Sequence, residues 1–164
     1  MDLGNIKIFN PKECDEKLLK IFYNVVRTGG QINASDESLK DNINNCHLLG
    51  VFEINNEIGG VAAIKIPRAN YKIKVFEKAK VPSDETIYEY EIGYVVTLPA
   101  YRGKGISSTL IEALIKTNPS AKYFATTKSV FMRKIFERIN FIKHGESYAN
   151  ANGEKLDLYI YQKV

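Results

Sequence analysis

The chain has 164 residues, 45% of them hydrophobic and 26% charged, with a formal net charge of +4. This composition excludes a disordered chain, the absence of any run of about 18 apolar residues excludes a membrane-spanning helix, and the length suffices to bury one core. Cys14, Cys46, His47 and His144 match no ligand spacing, so no metal is expected, and the cysteines read as reduced thiols. The start MDLGNIKIF lacks a charged-then-apolar secretory pattern, and a cytoplasmic protein is the expectation.

Residues 6–9 read as a short strand. Asn10, Pro11 and Glu13 then read as a helix start, with cap, first helical position and answering carboxylate. Leu18, Leu19, Phe22, Val25 and Val26 recur at helical spacing up to Gly29-Gly30, and a second helix is expected from Ser35, presenting Leu39 and Ile43. Residues 48–54 and 58–66 form a hairpin about Asn55-Asn56-Glu57, and the unbroken apolar run 61–64 predicts a strand covered on both faces. In and around residues 67–86, Lys65, Arg68, Lys72, Lys74, Lys78 and Lys80 face the single acid Glu77 before Asp84 and Glu85. Two readings stand: a solvated loop or short helix, or an insertion bordering a substrate cleft, bringing positive potential and the aromatics Tyr71 and Phe76.

Residues 88–97 are a strand that Pro99 stops. Residues 106–117 are a helix whose apolar face is Ile106, Leu110, Ile111, Leu114 and Ile115, with Ser108, Glu112 and Lys116 opposite. A strand follows at 122–126, and strand, helix, strand implies a right-handed crossover between parallel neighbours. A helix over 128–138 is expected to pack Val130, Phe131, Ile135 and Ile139, and strands 141–148 and 155–162 flank an Asn-Ala-Asn-Gly turn. No internal repeat occurs, and residues 1–164 read as one α+β domain with a mixed sheet.

Between the strand at 88–97 and the following helix stands Arg102-Gly103-Lys104-Gly105. Amides of a glycine-rich turn that opens a helix converge on one place, where the helix dipole adds positive potential. Gly103 and Gly105 permit close backbone approach, and Arg102 and Lys104 supply charge. A diphosphate suits such a turn better than a neutral ligand, although alone it also reads as a basic surface turn. The spacing is not that of a P-loop, and the third glycine and βαβαβ repeat of a dinucleotide fingerprint are missing.

With its strand and the element order of nearly the full chain, the stretch resembles the GNAT superfamily of acyl-CoA-dependent N-acyltransferases. The family signature Gln/Arg-x-x-Gly-x-Gly/Ala is met at Arg102 and Gly105 and departs from the pattern at Ser107. The resemblance implies an α+β fold with a mixed, mostly antiparallel central sheet, a splayed parallel strand pair and about four flanking helices. It implies acetyl-CoA as acyl-donor cosubstrate, its pyrophosphate over Arg102, Gly103, Lys104, Gly105, Ile106 and Ser107. Pantetheine would pair with main-chain groups near Val95 and Thr97, and the amide near Val96 would receive the oxyanion.

Direct transfer to a primary amine also needs a base. Glu91 occupies the family's usual place for one, and Glu89, two residues earlier on the same strand face, is the second candidate. Both also read as ordinary acids pairing with the basic insertion. For the general acid, the family's asparagine and tyrosine places fall on Ser129 and Phe136. Phe136 has no proton to give, which leaves Ser129 near the sulfur, Tyr94 or Tyr123 as substitutes, or solvent.

Two alternatives come from other classes. One keeps the fold as a non-catalytic CoA-sensing or partner-binding module. The other is a nucleic-acid binder, against which scattered lysines without an aromatic platform argue. The acceptor is a small-molecule or peptide amine, no membrane partner is expected, and a homodimer is compatible. Positive charge over residues 67–86 leans toward an acceptor bearing a carboxylate or phosphate.

Overall fold

A computed structural model describes residues 4–30, 32–81 and 87–162. In chain order the elements are β1 (Asn5–Phe9), α1 (Glu16–Gly29), α2 (Asp36–Asn44), β2 (Leu48–Ile54) and β3 (Glu57–Lys65). Then come α3 (Ala69–Lys78), β4 (Tyr90–Thr97), a 3-10 turn (Pro99–Tyr101), α4 (Ile106–Lys116) and β5 (Tyr123–Thr127). The chain continues through α5 (Val130–Arg138), β6 (Phe141–Lys143), β7 (Tyr148–Ala149) and β8 (Lys155–Tyr161). They divide into two compact units, Met1–Lys65 with Ile92–Pro119, and Ile66–Glu91 with Ser120–Val164.

In the first unit, β1 pairs antiparallel with β2, and β2 with β3. Asn55 and Asn56 join β2 to β3 with φ of 53° and 62°, the left-handed pair that a two-residue hairpin turn requires and asparagine tolerates. Helix α1 begins later than the residues around Pro11 suggested. Asn10 closes a local turn instead, its Oδ1 accepting from the Lys12 amide at 2.9 Å, while Asp15 caps the helix by accepting from the Lys17 amide at 2.8 Å. Ser35 caps α2 as expected, accepting from the Ser38 amide at 3.2 Å. Phe22, Val26, Leu39, Leu49, Val51, Val61 and Ala63 form one buried core. Gly50 lies against Leu110 and Leu114 of α4, where an added Cβ would stand 3.5 Å from each.

In the second unit, Tyr90 and Glu91 of β4 pair in parallel with Tyr123 and Phe124 of β5, β5 pairs antiparallel with β8, and β8 also carries β6 and β7. The result is the expected mixed, mostly antiparallel α+β sheet, with five α-helices among the described residues rather than about four. Residues 67–81 hold the helix α3, which buries Val75 and Phe76 against Tyr88, Phe124, Leu158 and Ile160; Asp84 and Glu85 lie outside the described residues.

Helix α5 does not pack Val130 and Phe131, which are 61% and 82% exposed. At about 100° per residue they stand more than 100° round the helix from Phe136, the residue it buries. The strand expected over 141–148 is interrupted between β6 and β7, because the Glu146 amide leaves the ladder to donate to the Ala79 carbonyl at 2.8 Å.

The buried Asp157 of β8 is held by the Arg133 guanidinium at 2.7 Å, by Lys143 at 3.5 Å and by a short hydrogen bond from the Ser147 hydroxyl. Burial works to raise its pKa, but the Ser147 bond and the two cations outweigh it and hold the carboxyl below its usual value of 3.8. Its stabilisation is therefore complete above that value and is lost as pH falls through the lower folded one. Urea denaturation should find Asp157→Asn less stable at pH 7 by about 1–3 kcal/mol. The gap to the parent should narrow below the unfolded carboxyl value and close below the folded one; a gap that persists below the folded value would assign the loss to packing.

Candidate functional site

Strand β4 ends at Thr97, and the Leu98 amide then donates to the Gly59 carbonyl at 2.8 Å. The 3-10 turn carries the chain to Gly103 and Gly105, both left-handed with φ of 81° and 74°. Gly105 is the N-cap of α4 and brings no side chain to its amides. A Cβ at either glycine would meet no atom within 4 Å, so the backbone here is open to a ligand. Arg102 and Lys104 are exposed beside it. First-turn amides without a capping side chain, an open backbone and two cations fit a diphosphate.

Two bonds close this turn on the end of β4. Arg102 Nε donates to the Thr97 carbonyl at 3.3 Å, and the hydroxyls of Thr97 and Ser107 stand 2.8 Å apart. Val95, Val96 and Thr97 are half-buried. Just before them Tyr94 takes φ of 51°, a left-handed residue inside a strand, which breaks the regular pleat. Beside it, a Cβ added at Gly93 would come within 2.5 Å of Lys65 Cδ. The Lys65 ammonium lies 4.6 Å from the centre of the Tyr94 ring.

In the second unit Glu91 is 3% exposed, and the Tyr71 hydroxyl of α3 donates to its Oε2 at 2.7 Å. The next residue, Lys72, donates to the Tyr88 carbonyl at 3.1 Å, so α3 grips the entry to β4 twice. Although 39% of Tyr71 is exposed, its hydroxyl end is desolvated. Burial, then the charge and hydrogen bond of Glu91, push the phenol well above 10, with a Thr126 hydrogen bond acting against them. Tyr148 of β7 is pushed up to about 12 by burial, then by Glu91 and Asp157. Two elements, α3 and β7, thus bring phenols to one carboxylate. Tyr71 was legible in the sequence only as an aromatic of the basic insertion, because its partner lies twenty residues away.

Other candidates fall elsewhere. Glu89 precedes β4 and is exposed, so the two carboxylates do not share an environment. Ser129 caps α5, its Oγ accepting from the Met132 amide at 3.3 Å. Phe136 is 2% exposed and packs between Phe141 and Tyr159, with ring centres 4.9 and 5.7 Å away. Tyr123 is fully buried and stacked on Tyr90, its phenol pushed to about 12 by burial before any charge. A phenol near 12 protonates a thiolate of ordinary pKa, about 8.5, at a cost of about 5 kcal/mol, so Tyr148 is suited to donating hydrogen bonds and not to giving up its proton. Replacing Glu91 by Gln should lower the titration midpoints of Tyr71 and Tyr148, followed by the ¹³Cζ signals of labelled tyrosine. Midpoints that stay where they were would show that burial alone holds these phenols protonated.

The sequence model of the acetyltransferase (GNAT) family matches residues 16–130. No curated protein sequence matches the chain. Among solved structures, ElaA of Escherichia coli superposes over 98% of this chain and 100% of its own, with TM-score 0.71 at 13% identity. The ribosomal-protein-S18-alanine N-acetyltransferase of Escherichia coli covers 96% of this chain and 93% of its own, at 0.66 and 12%. YncA of Salmonella typhimurium, solved with its cofactor acetyl-CoA, covers 97% and 93%, at 0.63 and 15%. Identities this low speak to the fold alone. The family match, however, takes in well over half of the chain, from α1 through β4 and the glycine turn to the start of α5, and the chain belongs to the GNAT acetyltransferase family.

Proposed function

We propose that this chain is a cytoplasmic N-acetyltransferase, one GNAT-like domain over residues 1–164, that moves an acetyl group from acetyl-CoA to a primary amine with Glu91 as general base. The observation that carries the proposal is a buried carboxylate, fixed by a phenol at 2.7 Å, on the same strand that ends at an uncapped, basic glycine turn. Acetyl-CoA bound to YncA supports the choice of donor.

Acetyl-CoA supplies the acetyl group already activated as a thioester. The amides of residues 103–107, with Arg102 and Lys104, hold its diphosphate, and main-chain groups at Val95 and Thr97 align the pantetheine arm. The Val96 amide donates to the carbonyl oxygen as negative charge develops there. Glu91 takes the proton of the attacking amine, directly or through a water, and Tyr71 and Tyr148 remain protonated and orient it. Solvent returns the proton to sulfur. Ser129, at the cap of α5, is a further candidate for the thioester end, and Glu89 the alternative base. The exposed Lys74 and Lys78 favour an acceptor bearing a carboxylate or phosphate over a polycation.

A CoA-release screen over amino acids, peptides, polyamines and aminoglycosides tests the assignment. With any amine turned over, Glu91→Gln should lower kcat by about 10² to 10⁴ while the acetyl-CoA KM changes little. Tyr71→Phe should lower kcat by about tenfold. Full activity in Glu91→Gln would remove the base assignment. Binding of acetyl-CoA without turnover of any amine would instead identify a CoA-sensing module.

A further inference from the structure

Thr97 stands outside the glycine turn, yet the first and last residues of that turn both bond to it, through different atoms. Arg102 Nε reaches its carbonyl at 3.3 Å, and Ser107 Oγ reaches its Oγ1 at 2.8 Å. We propose that Thr97 is the positioning residue of the diphosphate site, a clasp that closes residues 102–107 into their ligand-binding shape before the ligand arrives. The proposal rests on the acetyl-CoA assignment above.

A turn with two left-handed glycines has wide conformational freedom in isolation, and ordering it on binding would weaken affinity. Closing both ends on one residue removes much of that cost in advance. Thr97 is suited to hold them because it is the last residue of β4, fixed by the sheet, and is itself half-buried. Across from it Gly60 of β3 leaves room for Ile106, the residue before Ser107. A Cβ there would stand 2.6 Å from Ile106 Cγ2, 3.2 Å from the Val96 carbonyl and 3.5 Å from Thr97 Oγ1.

The same geometry accounts for a serine where the family pattern has glycine or alanine. Ser107 occupies the second position of α4 and is 9% exposed, so its hydroxyl needs a partner. It finds one in the strand behind it. The hydroxyl is committed to Thr97, and the Ser107 amide remains the group that faces the anion site. Serine here is a strap and not a phosphate ligand.

Calorimetric titration with acetyl-CoA tests the clasp. Thr97→Val keeps the shape of the side chain but removes the hydroxyl, and should weaken acetyl-CoA binding about tenfold. Thr97→Ser restores the hydroxyl and should bind within about threefold of the parent. The double variant Thr97→Val/Ser107→Ala should bind no worse than Thr97→Val, because both substitutions break one interaction. Parental affinity in Thr97→Val, equal loss in Thr97→Ser, or additive losses in the double variant would each overturn the clasp. Failure of the parent protein to bind acetyl-CoA is a different result, and would remove the donor assignment itself.

Discussion

The N-terminus of α4 has no side chain to satisfy it. A serine or aspartate cap there would contribute about 1 kcal/mol to the helix and would occupy the space over its first-turn amides. Gly105 forgoes that contribution and leaves those amides open. The helix stands anyway because Ile106, Leu110, Ile111 and Leu114 are 3% exposed or less, and burying each is worth about 1.5–3 kcal/mol. Much of the first unit follows from this exchange: the missing side chain at Gly60 lets Ile106 of the helix approach the sheet, and Thr97 takes up the ends of the turn. Local stability is given up where the proposed diphosphate would supply the missing partner.

The second unit contains two buried carboxylates that illustrate opposite uses of the same group. Asp157 meets Arg133 and Lys143 and is held ionised, which ties α5 and β6 to β8. Glu91 meets the neutral Tyr71 phenol, which orients it without adding charge. The partners give each carboxylate its role. One is a structural anion, while the other is the proposed base, with α3 as its support.

Local patterns carried far in this sequence wherever one residue decides a local geometry. Ser35 capped a helix, Asn55-Asn56 turned a hairpin, Pro99 ended a strand, and the apolar stripe of α4 was read residue for residue. The failures occurred where a distant partner decides. Ala79 draws the segment at Glu146 out of the strand, and Asp15 takes the helix start from the residues around Pro11. The aromatic packing of Phe136 turns α5 so that Phe131 faces solvent. The candidate site divides in the same way. The glycine turn is visible because its chemistry lies in six consecutive residues, and Glu91 because it sits at a fixed distance before them. Tyr71, Tyr148 and the Thr97–Ser107 bond are products of the fold.

The melting temperature of the protein across a concentration series of acetyl-CoA tests the central claim most directly, since it requires no knowledge of the acceptor. If the open end of α4 is built to receive the diphosphate, the midpoint should rise steadily with the logarithm of ligand concentration once the dissociation constant is passed. A midpoint that does not move with acetyl-CoA at about a thousand times micromolar would contradict the account.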